Sequence, residues 1–179
     1  MQRIRANRRR IIIESLFIIL LLSLVAVDQI TKYHFSHTIE LGDRKPVIDG
    51  LFYFAYELNT GASFSFLSGV SWAQIFFKIL TSLALIVFVL LYVIAIKNNL
   101  RWLKVGLIFI ISGTIGNFID RLIMNGVIDF ISFTFFPFVF NLADAFLIVG
   151  EIMLIIHFMF LDKNAIFKRQ DANTKVSNQ

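Results

Sequence analysis

Apolar runs recur four times along the chain, at Ile11 to Val27, Ala73 to Ile96, Trp102 to Ile119 and Leu142 to Leu161, with polar and basic residues in the gaps. Each run is about as long as a helix rising ~1.5 Å per residue needs to cross ~30 Å of hydrocarbon. The pattern predicts four transmembrane helices, over about residues 11–31, 73–96, 102–121 and 142–161. The long loop at 34–71 has a different rhythm. There Leu51 to Leu58 is rich in aromatic residues and follows the turn signal Asp49-Gly50, while Ala62-Ser63-Phe64-Ser65-Phe66-Leu67 alternates small or polar with apolar residues, apart from its last position. These read as two strands joined by a turn at Asn59-Thr60-Gly61, where glycine admits a positive φ. The expected fold is therefore a mainly α membrane protein, four transmembrane helices carrying a small antiparallel sheet at the membrane surface.

Composition agrees with that pattern. Of the 179 residues, 58% are hydrophobic and 16% charged, and the mean hydropathy is +0.77, which excludes an ordinary soluble globule. Cysteine is absent, so disulfides, thiolate metal sites and a cysteine nucleophile are excluded. The three His are scattered. Twelve of the 17 Lys and Arg lie in the N-terminal tail (Arg3, Arg5, Arg8, Arg9, Arg10), around the second gap (Lys97, Arg101, Lys104) or in the C-terminal tail (Lys163, Lys168, Arg169, Lys175). By the positive-inside rule both termini and the 97–104 turn face the cytoplasm, and Lys32 to Ser71 and Arg121 to Asn141 lie outside. The basic residues thus read as a topology signal that contacts anionic membrane lipids, not as a nucleic-acid surface. The first span follows a basic segment, as a secretory signal does, but no small-x-small cleavage site follows Val27, and Asp28-Gln29-Ile30-Thr31-Lys32 reads as the end of a retained helix. Residues 1–163 are expected to form a single integral membrane domain, and 164–179 a polar cytoplasmic tail.

Polar side chains near hydrocarbon are expensive, so their placement is informative. Asp28 and Lys32 fall at the outer end of the first helix, Asn117, Asp120 and Arg121 at the outer end of the third, and Asn141 and Asp144 at the outer start of the fourth. Asp129, within Gly126-Val127-Ile128-Asp129-Phe130-Ile131, and Asn59 belong to the same side. Helical spacing puts Gly113, Gly116, Asn117 and Asp120 on one face, and Asn141, Asp144, Ile148 and Glu151 on another. Close approach of these helices at the glycines would bring their acids together. Two carboxylates sharing a desolvated pocket hold one proton between them, the chemistry of an aspartic protease. Plainer readings stand beside this one. Asp144 taken alone is a helix cap; Asp28 with Lys32, and Asp120 with Arg121, read as structural ion pairs; Asn59 reads as a turn residue, and Glu14, Lys78 and Glu151 as snorkelling or helix contacts. A proton-coupled transporter places its acids near the midplane rather than at one leaflet, and a purely structural membrane protein leaves Asp129 without a purpose.

Together these residues resemble the lipoprotein signal peptidase, or signal peptidase II, family. The resemblance covers nearly the whole chain and rests on five ordered motifs: Asp28-Gln-Ile-Thr-Lys32, Asn59-Thr-Gly-Ala-Ser-Phe-Ser65, Gly116-Asn-Phe-Ile-Asp-Arg121, Val127-Ile-Asp-Phe130 and Phe140-Asn-Leu-Ala-Asp144. It implies a bacterial inner-membrane aspartic endopeptidase that cuts diacylglyceryl-modified prolipoproteins before the lipidated Cys, uses no metal or organic cofactor, and is blocked by globomycin. Carried over by motif, the catalytic pair falls on Asp129 and Asp144. Asn59, Gly61, Asn117, Asp120, Arg121 and Asn141 take supporting and substrate-contacting positions, and Asp28 and Lys32 a structural or assisting pair. The chain departs from the family pattern at Ala62-Ser63, where two Ala are usual, and at Ser112-Gly113, where a Gly pair is common. Asn125 stands where a Gly precedes the Asp129 motif, and Asn tolerates the left-handed region better than most residues.

Overall fold

The computed structural model describes residues 2–61, 70 and 72–161. Helix α1 spans Gln2–Thr38, α2 Ala73–Lys97, α3 Arg101–Met124 and α4 Leu142–Ile156, the last continued by a π-helical turn over His157–Leu161. All four contain segments long and apolar enough to cross a membrane. In α3 67% of the apolar window is buried, against 6%, 6% and 11% in α1, α2 and α4, so α3 is the central helix around which the others pack. Its Leu103, Leu107 and Ile111 meet Ala95 of α2 in a core that Leu21, Phe88 and Tyr92 extend.

Lipid is as apolar as leucine, so helices in a bilayer associate through close packing rather than burial from water. The α3–α4 contact shows this directly. A Cβ on Gly113 would collide with the carbonyl oxygen of Ala143, one on Gly150 would come within 2.6 Å of the Gly106 carbonyl, and one on Gly116 would strike the Asp28 carboxylate of α1. Small residues let the three backbones approach at the levels where the polar side chains sit.

Strands β1 (Arg44–Ile48), β2 (Phe52–Asn59), β3 (Val127–Phe133) and β4 (Val139–Phe140) form one antiparallel sheet in that order. The expected strand over Leu51 to Leu58 is β2, and Asp49-Gly50 is the turn of the β1–β2 hairpin, with Gly50 at φ 71°. The partners of β2 are β1 and β3, the second drawn from the loop between α3 and α4. The expected strand over 62–67 and the tail over 164–179 lie outside the described residues.

Helix α1 does not end near residue 31 but runs on to Thr38. The extension carries Phe35 onto the sheet, where its ring lies 4.3 Å from that of Phe54 and 4.7 Å from that of Phe130. Aromatic packing of this kind adds to the gain from burial and fixes the sheet against the end of the bundle. Helix α3 likewise reaches Met124, where Asn125 takes the left-handed cap (φ 53°), the conformation its side chain tolerates.

Candidate functional site

The site lies where the sheet meets the ends of α1, α3 and α4. All ten residues singled out in the sequence join one hydrogen-bonded network there, and each is held by the element that carries it.

At its base is Lys32, 1% exposed. Its Nζ lies 2.9 Å from Asp28 Oδ2 one turn earlier on α1, 2.8 Å from Asp120 Oδ2 on α3, and donates to Asn117 Oδ1 at 2.9 Å. A buried cation with two carboxylates and an amide oxygen is fully paired, and removing one partner of such a cluster costs about 3–5 kcal/mol because it strands the others. Both carboxylates also tie down backbone. Asp28 Oδ1 accepts from Ala143 N at 2.9 Å, binding α1 to the first turn of α4, and Asp120 Oδ2 accepts from Ile128 N at 3.1 Å, binding α3 to β3. Asp120 therefore pairs with Lys32 and not, as expected, with Arg121. Gln29, which sequence reasoning passed over, donates at 3.2, 3.1 and 3.0 Å to Asp28 Oδ2, the Gly116 carbonyl and Asp120 Oδ1; its only signal was its place inside the Asp28 to Lys32 motif.

Asn117 passes the network upward, its amide donating to Asp144 Oδ1 at 2.8 Å. Asp144 and Asn141 form a capping box at the start of α4: Asp144 N donates to Asn141 Oδ1 at 3.0 Å and Asn141 N to Asp144 Oδ2 at 3.2 Å. The cap itself is Asn141, not Asp144 as the plainer reading had it; Asp144 holds the third helical position, completes the box and lines the cavity. Asn141, fully buried, spends its own amide on Asp129 Oδ1 at 2.6 Å, on Asn117 Oδ1 at 3.2 Å and on the Ile128 carbonyl at 3.2 Å. One Asn thus holds both acids, Asp129 through its side chain and Asp144 through its backbone.

Asp129 sits on strand β3 rather than in a loop, opposite Glu57 of β2, and is 3% exposed. Asn59 at the end of β2 donates to its Oδ2 at 3.2 Å. The Asn59 oxygen in turn accepts from Gly61 N at 3.0 Å, and Arg121, whose guanidinium lies over the Phe77 ring, donates to the Gly61 carbonyl at 3.4 Å. Burial, reinforced by the charge of Asp144, pushes the Asp129 carboxyl up to about 7, while hydrogen bonds from Asn59 and Asn141 and the charge of Lys32 pull the other way. The two acids, Asn117 and Arg121 line a cavity of about 980 Å³ that also takes in Leu80 and Ala84 of α2 and Ile148 and Glu151 of α4. A buried carboxyl poised near neutrality beside a second carboxyl, in a cavity walled by apolar side chains, is equipped for general acid–base work on a bound water.

Of the remaining charged residues, Glu14 meets Lys104 at 2.5 Å and Tyr92 at 3.2 Å, and Lys78 donates to Asn125 at 2.9 Å, all as helix-to-helix or helix-to-cap contacts. Glu151 makes no such contact among the described residues and faces the cavity instead. No grouping of three or more His, Cys, Asp or Glu suited to a metal ion occurs among the described residues.

The family model for signal peptidase (SPase) II matches residues 20–160. The lipoprotein signal peptidases of Streptococcus pyogenes serotype M2 (strain MGAS10270) and serotype M5 (strain Manfredo) are each 43% identical over 145 residues, 80% of this chain and 92% of theirs. Two solved structures described as bacterial membrane enzymes, at 2.3 and 1.9 Å resolution, superpose with TM-scores of 0.70 and 0.70. The first is 35% identical and covers 79% of this chain and 86% of its own; the second is 32% identical and covers 82% and 94%. By its sequence and by its fold, the chain belongs to the signal peptidase II family.

Proposed function

We propose that this protein removes the signal peptide from diacylglyceryl-modified bacterial prolipoproteins, cutting before the lipidated Cys by an aspartic mechanism. The observation that carries this reading is the joint hold of Asn141 on Asp129 and Asp144 at the wall of one cavity. The two acids share a proton around a bound water. One carboxylate takes a proton from the water as it attacks the scissile carbonyl while the protonated partner gives its proton to the developing oxyanion; on collapse the first acid passes the water's proton to the leaving amine and the partner takes its own back from the diol. Titration belongs to the pair rather than to either residue. Asn59 and Arg121, at the rim, hold the substrate backbone, and the diacylglyceryl chains lie along the apolar wall formed by Leu80, Ala84 and Ile148, so that orientation removes part of the barrier. The Lys32 cluster sets the relative positions of α1, α3 and α4 and does not touch the reacting atoms. The protein lies in the bacterial inner membrane with both termini cytoplasmic and the sheet end outside, where exported prolipoproteins emerge.

The test is cleavage of a diacylglyceryl-modified prolipoprotein by purified protein in mixed detergent and lipid, read by gel shift against the unlipidated precursor and with globomycin. Globomycin-sensitive cleavage of the lipidated form alone is expected, and Asp129→Asn and Asp144→Asn are each expected to lower turnover by about 10²–10⁴-fold with little change in thermal midpoint. Undiminished turnover in either variant removes that acid from the pair, and absence of cleavage by the folded wild-type protein removes the activity.

A further inference from the structure

Glu151 is the one charged side chain inside a span whose purpose the proposed mechanism leaves open. It occupies the middle of the α4 apolar segment Leu142–Leu161, seven residues and so about 10 Å along the helix from Asp144. Its neighbour Gly150 packs against Gly106 and Ile110 in the body of α3, which fixes the same depth from a second helix. The side chain is exposed into the cavity that Asp129 and Asp144 also line, and has neither hydrogen bond nor ion pair among the described residues. Of the other acids within the spans, Glu14 is paired with Lys104, Asp28 and Asp120 with Lys32, and Asp144 accepts hydrogen bonds from Asn117 and Asn141. A carboxyl at mid-span with nothing to offset its cost marks a place where a ligand supplies the partner.

The substrate has a group to offer. A peptide bond reaches a pair of acids only as extended backbone, and the stretch leading from that bond into hydrocarbon carries N–H groups that helix would otherwise satisfy. Extended chain rises about 3.3 Å per residue, so ~10 Å corresponds to the third residue on the signal-peptide side of the scissile bond. Carboxyl oxygens accept from N–H donors in whatever order the surrounding side chains vary.

We propose that Glu151 is a substrate-binding residue whose carboxyl oxygens accept backbone N–H groups of the unwound signal peptide about three residues before the scissile bond. The inference rests on the signal peptidase reading. It assigns to this chain a contact that anchors the substrate at mid-bilayer depth, one helical segment below the acids, and sets how far the signal peptide is drawn into the cavity.

Two measurements test it together. In steady-state cleavage of the lipidated prolipoprotein, Glu151→Leu is expected to lower kcat/KM about tenfold, chiefly through KM, as loss of a hydrogen bond made equally in ground and transition states requires. Glu151→Gln, which keeps an acceptor oxygen, is expected to recover most of that loss, and neither variant should lower the thermal midpoint. Because the chain has no cysteine, Glu151→Cys can also be placed in an Asp129→Asn background and oxidatively cross-linked to uncut prolipoproteins carrying one free Cys at each of the positions before the bond. Yield should peak about three residues from it. Wild-type cleavage with full kcat/KM in Glu151→Leu, or a cross-linking profile without that peak, overturns the inference and leaves the signal peptidase reading standing. Failure of the wild-type protein to cleave overturns that reading, and the inference with it.

Discussion

Asp129 combines deep burial with two amide donors and a neighbouring carboxyl, and the outcome is a carboxyl that holds its proton to about pH 7. In the unfolded chain the same group is ionised above about pH 4. Between those limits the folded protein binds more protons than the unfolded one, so raising the pH from about 4 to about 7 weakens the contribution of Asp129 to stability. For the proposed reaction the sign is the same on the alkaline side: if the two acids share a proton as proposed, kcat/KM for lipidated substrate is expected to fall as pH rises through about 7, and a pH–rate profile that stays level from pH 6 to 9 would contradict the proposal. At this scale the sequence was informative because acids beside hydrocarbon are costly wherever they occur, which singled out Asp28, Asp120, Asp129 and Asp144 without any coordinates. Pairing was harder to read. Asp120 and Arg121 are adjacent in sequence, but consecutive side chains on a helix point about 100° apart, so Asp120 faces Lys32 of α1 while Arg121 reaches over Phe77 to the Gly61 carbonyl.

Elements were legible where one rule governs them. Crossing hydrocarbon demands a minimum apolar length, and four runs met it; α1 and α3 outran the expected ends because Phe35 and Asn125 answer to the sheet and to a cap rather than to the bilayer. Strand β3 was not legible. Both of its faces are covered, so Val127–Phe133 shows no alternation of apolar and polar residues, and a half-buried strand is recognised by that alternation. The α3–α4 contact, by contrast, follows from glycines that the sequence displays. Since a Cβ on Gly113 would meet the backbone of Ala143, with no flexible side-chain end to yield, Gly113→Ala is expected to destabilise the protein by about 1–3 kcal/mol. It should also reduce cleavage by moving Asp144 away from Asn117. Leu83→Val, on the lipid-facing side of α2, is expected to stay within about 0.5 kcal/mol of wild type. Thermal midpoints in detergent compare the two, and equal midpoints would contradict close backbone packing at Gly113.

For the molecule as a whole, the distribution of Lys and Arg predicts orientation. Asp49, in the β1–β2 turn, and Asn98, in the turn between α2 and α3, are both exposed at opposite ends of the bundle. With no native cysteine to interfere, Asp49→Cys is expected to react with a membrane-impermeant maleimide in intact cells, and Asn98→Cys only after permeabilisation; the reverse pattern would invert the topology. Lys32 and Asp28 lie one turn apart on the same helix, and this bears on how the protein is made. The ribosome delivers α1 well before α3, so the two charges must enter the bilayer without Asp120. Paired with each other, they let the outer end of α1 enter without a net charge of its own. Asp120 joins when α3 follows, and the Ala143 N–H closes onto Asp28 only once α4 has been synthesised. A nascent chain stalled before its last helix therefore has its anchor and its charge bridge but lacks Asp144, so the proposed acid pair is assembled only on completion of the last helix.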